Sequence, residues 1–500
     1  MIDQITNLKE TTTKDLSKFF KLERTIHDLS AKPVIGIGIA AIFLSIIWLA
    51  THTLTAGIEN QAFIVTAGVI GGYMAMNIGA NDVANNVGPA FGAKSLTMVG
   101  ALIIAAIFET AGAVLAGGDV VKTISKGIID PSLIPSTKIF MMLMMSALLA
   151  AALWINFATF FGAPVSTTHS IVGGVLGAGI AAAGASVVNW PVMGKIAASW
   201  VISPVLGGIV AAIFLAFIKK QVLYREDTIA AAKYWVPIFV ALMAGVFAAY
   251  LSVKGLKRVW KPEPWMVGLI GVGFFAATFA FVNPLIAKRS EGMENTKKTI
   301  RGLFHILLIF AAALLSFAHG ANDVANAVGP LAAIVDAAST GAVSAKVGIP
   351  AWVLFVGAAG ITMGLMLFGP KLIRTVGVKI TRMNPMRAYC VALSAAITVI
   401  VASALGLPVS STHIAVGAVF GVGFLREYHS SKGTHMGGYE KKADRPPSKW
   451  DLLPAEEKSR RKKLVRRQYL WSIVAAWLIT VPLSALFSAG IYIALKEFVV

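Results

Sequence analysis

Long apolar runs follow one another along almost the whole chain, separated by short polar stretches. They fall at about 34–50, 62–78, 97–116, 139–160, 168–186, 196–218, 235–252, 265–287, 303–319, 350–369, 388–405, 412–425 and 471–496. A run of about 20 apolar residues is what an α-helix needs to cross the hydrocarbon core of a bilayer. The pattern therefore predicts an all-α polytopic membrane protein with about 11–13 transmembrane segments. The first 33 residues are polar and precede the first run without a cleavable signal pattern. The longest later interruption, 426–469, contains "EEKSRRKKLVRRQ" and reads as a partly disordered cytoplasmic loop attracted to anionic headgroups.

The apolar pattern occurs twice. "GANDVANNVGP" at Gly79–Pro89 returns as "GANDVANAVGP" at Gly320–Pro330. Gly112, Gly117 and Thr123 match Gly364, Gly369 and Thr375, and "GAPVSTTHSIVGGVLGAG" at 162–179 matches "GLPVSSTHIAVGAVFGVG" at 406–423. Trp200 in "SWVISP" aligns with Trp477 in "AWLITVP". The offsets run 241, 252, 244 and 277, so the differences are loop insertions and deletions. The expected organisation is an N-terminal tail with an extra helix (1–61), a first repeat (62–218), a two-helix connector (219–302) and a second repeat (303–500). Seven apolar segments separate the two Asn–Asp motifs, or five if each "PVS" motif turns a re-entrant hairpin. Both counts are odd. The halves are thus expected to lie upside down relative to each other, as in many secondary transporters.

Composition agrees and adds orientation. The chain is 57% hydrophobic and 14% charged, with mean hydropathy +0.75. Its net charge of +20 sits mostly in loops, which fits the positive-inside rule better than a nucleic-acid partner. By parity the N-terminus and the loops at 219–234, 288–302, 371–387 and 426–469 share one side, expected to be cytoplasmic. Lys254, Lys257, Arg258 and Lys261 fall on the opposite side, against that rule. The single cysteine, Cys390, lies in an apolar run and supports no disulfide framework.

Polar groups at membrane depth are costly unless they face a cavity, a partner or an ion. Gly79, Gly88 and Pro89 are expected to break a helix there, and such breaks are tolerated where they line a cavity. Asp82 and Asn85, three apart, lie on one helical face and make an oxygen-rich pair suited to a hard cation, as do Asp323 and Asn326. Proline followed by hydroxyl residues, in Pro164–His169 and Pro408–His413, is a helix start. Ser166, Thr167 and Thr168, with Ser410, Ser411 and Thr412, offer O–H donors beside helix N-terminal N–H groups, which suits a tetrahedral oxyanion. Asn81 and Asn322 are assigned to the same anion, and His169 and His413 as accessory groups. Glu109 in "AIFETAG" faces Ile361 across the repeat, and His319 faces Ile78, so the halves are not equivalent. Glu109 is expected to take part in cation coupling, and His319 is a further accessory residue. The aspartates couple a cation, proton or sodium, to the negative charge of the anion.

With "GANDVANNVGP", "HGANDVANAVGP" and "PVS[TS]TH" in place, the sequence resembles the inorganic phosphate transporter (Pit) family across about 62–496. The resemblance implies uptake of orthophosphate, as the free ion or a metal complex, in symport with protons or sodium. It implies one central site built from the Asn–Asp and hydroxyl motifs of both halves, with Glu109 and His319 at positions that resembling sequences also fill with these residues. Animal members carry an acid in the helix before the second hydroxyl motif where this chain has Ala392. Bacterial members point to protons and metal–phosphate, animal ones to sodium. The expected setting is the inner cell membrane, with phosphate, a coupling cation and lipid as partners and no cofactor. A homo-oligomer is compatible with this reading. Two alternatives stand beside it: a permease for another tetrahedral oxyanion such as sulfate, and a membrane hydrolase using Ser, His and Asp. No G-x-S-x-G pattern surrounds Ser166 or Ser410, which disfavours the hydrolase.

Overall fold

The computed structural model describes residues 33–161, 165–255, 260–296, 299–343, 348–380, 383–431 and 467–499. Among these, helices dominate and the sole β feature is an isolated bridge between Ile129 and Val188. The long helices are α1 (Pro33–Leu54), α2 (Gln61–Gly92), α3 (Met98–Ala116), α4 (Thr137–Phe160), α5 (Thr167–Ala183), α6 (Trp190–Ile218) and α7 (Thr228–Lys254). They continue as α8 (Pro264–Arg289), α9 (Phe304–Thr340), α10 (Ala351–Arg374), α11 (Pro385–Ala404), α12 (Ser411–Ser431) and α13 (Arg467–Val499). Eleven described helices are long and apolar enough to cross a membrane; α5 is a shorter apolar helix and α12 is not among the eleven. Both α5 and α12 are second arms of hairpins, α4–α5 and α11–α12, whose tips carry the two hydroxyl motifs.

Helices α2 and α9 pack against each other at the centre and are buried along most of their length. By contrast α8 lies on α7 and buries only Val282 and Ile286, leaving Leu269, Val272 and Phe281 exposed. In water that surface would be untenable; in hydrocarbon it costs nothing.

The sequence predicted a break within each Asn–Asp motif. The structure corrects this: α2 and α9 run unbroken through Gly79–Pro89 and Gly320–Pro330. The glycines serve close approach instead. A methyl group on Gly79 would sit 2.0 Å from the Ile361 carbonyl oxygen, and one on Gly320 would sit 2.1 Å from that of Glu109. So the helix ends within the molecule lie at the hairpin tips, where α5 and α12 begin. The long polar loop also starts later than expected, because α12 continues to Ser431 and α13 begins at Arg467. Its remainder, with the first 32 residues, lies outside the described residues.

Packing follows the sequence repeat with the partners exchanged. Helix α2 packs on α10 while its repeat counterpart α9 packs on α3; α5 packs on α13 while α12 packs on α6. Gly177 abuts the Ala485 carbonyl and its counterpart Gly421 abuts that of Gly208. The π-helical turns at Thr123–Gly127 and Thr375–Ile380 also begin at matched positions.

Candidate anion and cation site

Where α2 and α9 meet the tips of α5 and α12, the two motif pairs converge. Ser166 caps α5, its Oγ accepting from the His169 N–H at 3.1 Å, and Ser410 does the same for His413 at 3.3 Å. Each cap fixes a helix N-terminus, whose first N–H groups lack intrahelical partners, beside the central helices. The next hydroxyls reach the aspartates of the central helices. Thr167 Oγ1 donates to Asp82 Oδ2 at 3.0 Å, and Thr412 Oγ1 donates to Asp82 Oδ1 at 3.1 Å. Ser411 Oγ donates to Asp323 Oδ2 at 3.1 Å. Asn85 Nδ2 donates to Thr412 Oγ1 at 2.8 Å, and Asn326 Nδ2 donates to the hydroxyls of Thr167 and Thr168 at 3.3 and 3.2 Å. Each half therefore hydrogen-bonds the other half's motif. All these residues are buried.

Asp323 Oδ1 and Asn326 Oδ1 are buried acceptors without a hydrogen-bond donor. Orphaned buried oxygens are rare and costly. Acceptors placed one helical turn apart are what a hard cation requires.

His319 joins the acids. Its Nε2 lies 2.8 Å from Asp323 Oδ2 and 3.6 Å from Asp82 Oδ2, and its Nδ1 lies 3.1 Å from Glu109 Oε2. Ligand atoms of Asp82, His319 and Asp323 all fall within 4.8 Å of one another. Asn86 Nδ2 holds the other Glu109 oxygen at 2.8 Å. Three carboxylates and one histidine, sealed at 0–1% exposure, leave a negative excess when ionised even if the imidazole carries a charge. Such a cluster is stable only with added cations or protons.

The asparagines Asn81 and Asn322, assigned to the anion from sequence, hydrogen-bond the chain beside the hydroxyl motifs. Asn322 Nδ2 donates to Ser403 Oγ at 2.8 Å and to the Leu407 carbonyl at 3.2 Å, while its Oδ1 accepts from the Val409 N–H at 3.2 Å. Asn81 bonds the Thr159 hydroxyl at 2.8 Å, and its nitrogen, oriented to satisfy both ends, donates to the Val165 carbonyl and to Asp82 at 3.3 Å. Both amides staple the chain entering a hydroxyl motif. Among the accessory histidines, His169 stacks on Trp200 with ring centroids 3.8 Å apart and meets His413 edge-on at 4.9 Å. Its Nδ1 lies 2.5 Å from Ser166 Oγ, and Trp200 Nε1 donates to the Pro408 carbonyl at 3.1 Å. The histidine pair thus braces the two tips against each other.

Residues 78–488 match the model of a family described as the phosphate transporter family. The chain belongs to that family. Two relatives, both named "Putative phosphate permease", come from Helicobacter pylori strain J99 and Thermococcus kodakarensis. The first is 45% identical over 96% of this chain and 98% of its own; the second is 36% identical over 85% and 95%. A solved structure, "The sodium-dependent phosphate transporter", superposes with a TM-score of 0.77 at 37% identity, covering 88% of this chain and all of that one. The protein is thus a multi-pass membrane transporter of phosphate and not an enzyme, which removes the hydrolase alternative. In this phosphate transporter the hydroxyl, aspartate and Asn85/Asn326 residues singled out from sequence lie in one buried group, with Glu109 and His319 beside it. The sequence reading gave no site role to Asn86, Thr159 or Ser403. Asn86 carried a signal, being the position where the second motif has Ala327.

Proposed function

We propose that the protein imports inorganic phosphate by symport with sodium or protons, through a site between two inverted repeats that opens to each side in turn. The N-terminus then lies in the cytoplasm and the protein in the inner cell membrane. One observation carries this reading: the hydroxyls of Thr167, Ser411 and Thr412, at the N-termini of α5 and α12, donate to Asp82 and Asp323. An anion needs those same donors. A cation on the aspartates replaces the hydroxyls as their counter-group, and the freed O–H groups turn toward the phosphate beside the helix N-termini. Without the cation, a phosphate would compete with two carboxylates for the donors and would be repelled by their charge. Coupling follows from shared hydrogen bonds.

Asp82, Asn85, Asp323 and Asn326 are the cation ligands in this reading, with Glu109 and His319 holding the charge balance. Ser166 and Ser410 cap the helices that present the donors, and Asn81 and Asn322 position them. Hydrogen phosphate carries one proton and needs an acceptor, which an aspartate supplies; sulfate has none to give. Uptake of labelled phosphate into proteoliposomes, under a sodium gradient alone and a proton gradient alone, tests the proposal. Uptake driven by one gradient and unaffected by excess sulfate is expected. Uptake indifferent to both gradients, or competed by sulfate, would overturn it.

A further inference from the structure

Resting on the two-gate reading above, we infer that Lys254 and Lys371 are the closing residues of opposite gates. Each ammonium caps the carboxyl end of one hairpin helix.

The repeat brings the two together. Asp119 matches Lys371 at the offset of 252, and Phe160 matches Ala404 at the offset of 244. Phe160 ends α4 and Ala404 ends α11. The last carbonyls of a helix lack intrahelical partners and carry the negative end of its dipole. On one side Lys371 Nζ donates to the Phe160 carbonyl at 3.5 Å. On the other side Lys254 Nζ donates to the Ala404 carbonyl at 3.2 Å. The repeat position that supplies the lysine in the second half holds an aspartate in the first. A carboxylate cannot cap a carbonyl. Asp119 instead binds Lys254 at 2.7 Å, and Lys254 comes from α7, in the connector that has no counterpart in the repeat. A borrowed ammonium thus does at Ala404 what a resident one does at Phe160.

The capped carbonyls sit where a gate must move. Each lies directly before the short segment that carries a hydroxyl motif into the site. The neighbouring residues Thr159 and Ser403 are those held by Asn81 and Asn322. Beside the Lys254 contact, Thr123 Oγ1 also donates to the Gly406 carbonyl at 2.7 Å. Lys254 and Asp119 keep 22% and 27% side-chain exposure, so the pair is only partly buried and holds less strongly than a sealed one. A gate needs a contact of that strength; a permanent strut would be buried. The same contact accounts for a lysine on the side where loop charge does not expect one.

The test reads gate opening directly. A Leu407→Cys reporter, just past Gly406, is labelled in whole cells with a membrane-impermeant maleimide; Cys390 is fully buried and stays silent. Lys254→Met should raise the labelling rate about fivefold, the population shift a partly buried ion pair supplies. Lys371→Met should lower it, because the opposite gate then opens more readily. Asp119→Lys combined with Lys254→Met should return the rate to that of the parent, since it rebuilds the resident arrangement. Lys254→Gln replaces the methionine variant if that one does not reach the membrane. A parent-like rate in the Lys254 variants overturns the inference, as does a double variant that stays as open as the single. Adding phosphate and sodium to the parent separates the two levels. No change in labelling there would sink the two-gate reading itself, whereas a change with inert lysines would sink only the gate assignment.

Discussion

At the scale of single residues, the site works by sharing. Asp82 takes hydroxyl donors from both hairpins, so its charge is read by both. Asp82→Asn and Asp323→Asn should each abolish gradient-driven phosphate uptake while membrane abundance, read by immunoblot, stays unchanged. Wild-type uptake in both variants would remove the aspartates from coupling. Glu109 and His319 should behave as a pair. Disturbing one member of a buried polar contact costs roughly 1–3 kcal/mol, so Glu109→Gln should lower the melting temperature in detergent. Adding His319→Gln should recover part of that loss, and a fully additive double variant would mean the two do not interact. The aspartates and hydroxyls were legible in the sequence because the motif occurs twice and a polar pair at membrane depth has few uses. The chain contacts of Asn81 and Asn322 were not. An amide offers a donor and an acceptor, and sequence alone does not say whether it faces an ion or the chain beside it. Glu109 and His319 stood out as breaks in the repeat, but their contact joins residues far apart in the chain and needs the fold to be seen.

At the scale of elements, glycine decides how close helices come. The sequence placed an apolar run on every long helix, but it ended the two central ones at 78 and 319, where α2 and α9 continue to Gly92 and Thr340. It misplaced the breaks, since glycine and proline in a motif serve equally for a kink and for tight packing. The structure separates these uses. A methyl on Gly421 would lie 1.9 Å from the Gly208 carbonyl oxygen, whereas one on Gly194 would meet nothing within 4 Å. Gly421→Ala should therefore destabilise by about 1–3 kcal/mol, the usual cost of overpacking. Gly194→Ala, within α6, should be neutral or slightly stabilising. Thermal unfolding in detergent compares them, and equal melting temperatures would contradict the close-approach account. The helix N-termini that reach the site, at Ser166 and Ser410, are those the sequence marked by proline and hydroxyl residues.

At the scale of the whole molecule, partner exchange ties the two ends of the chain together. Helix α2 has its long contact with α10, and α5 has its own with α13. During synthesis, then, the ribosome releases α2 and α5 long before their partners exist. The half-made chain must wait in the bilayer with glycine faces and a cluster of acids uncovered, a state that membrane proteases recognise. A fragment ending at residue 302 should be inserted and then rapidly degraded. Co-expression with a fragment from 303 onward should rescue it, with pulse-chase half-life as the readout. A long-lived lone fragment would show that the first half matures without help. A mutation that delays the last helix would then count against the first.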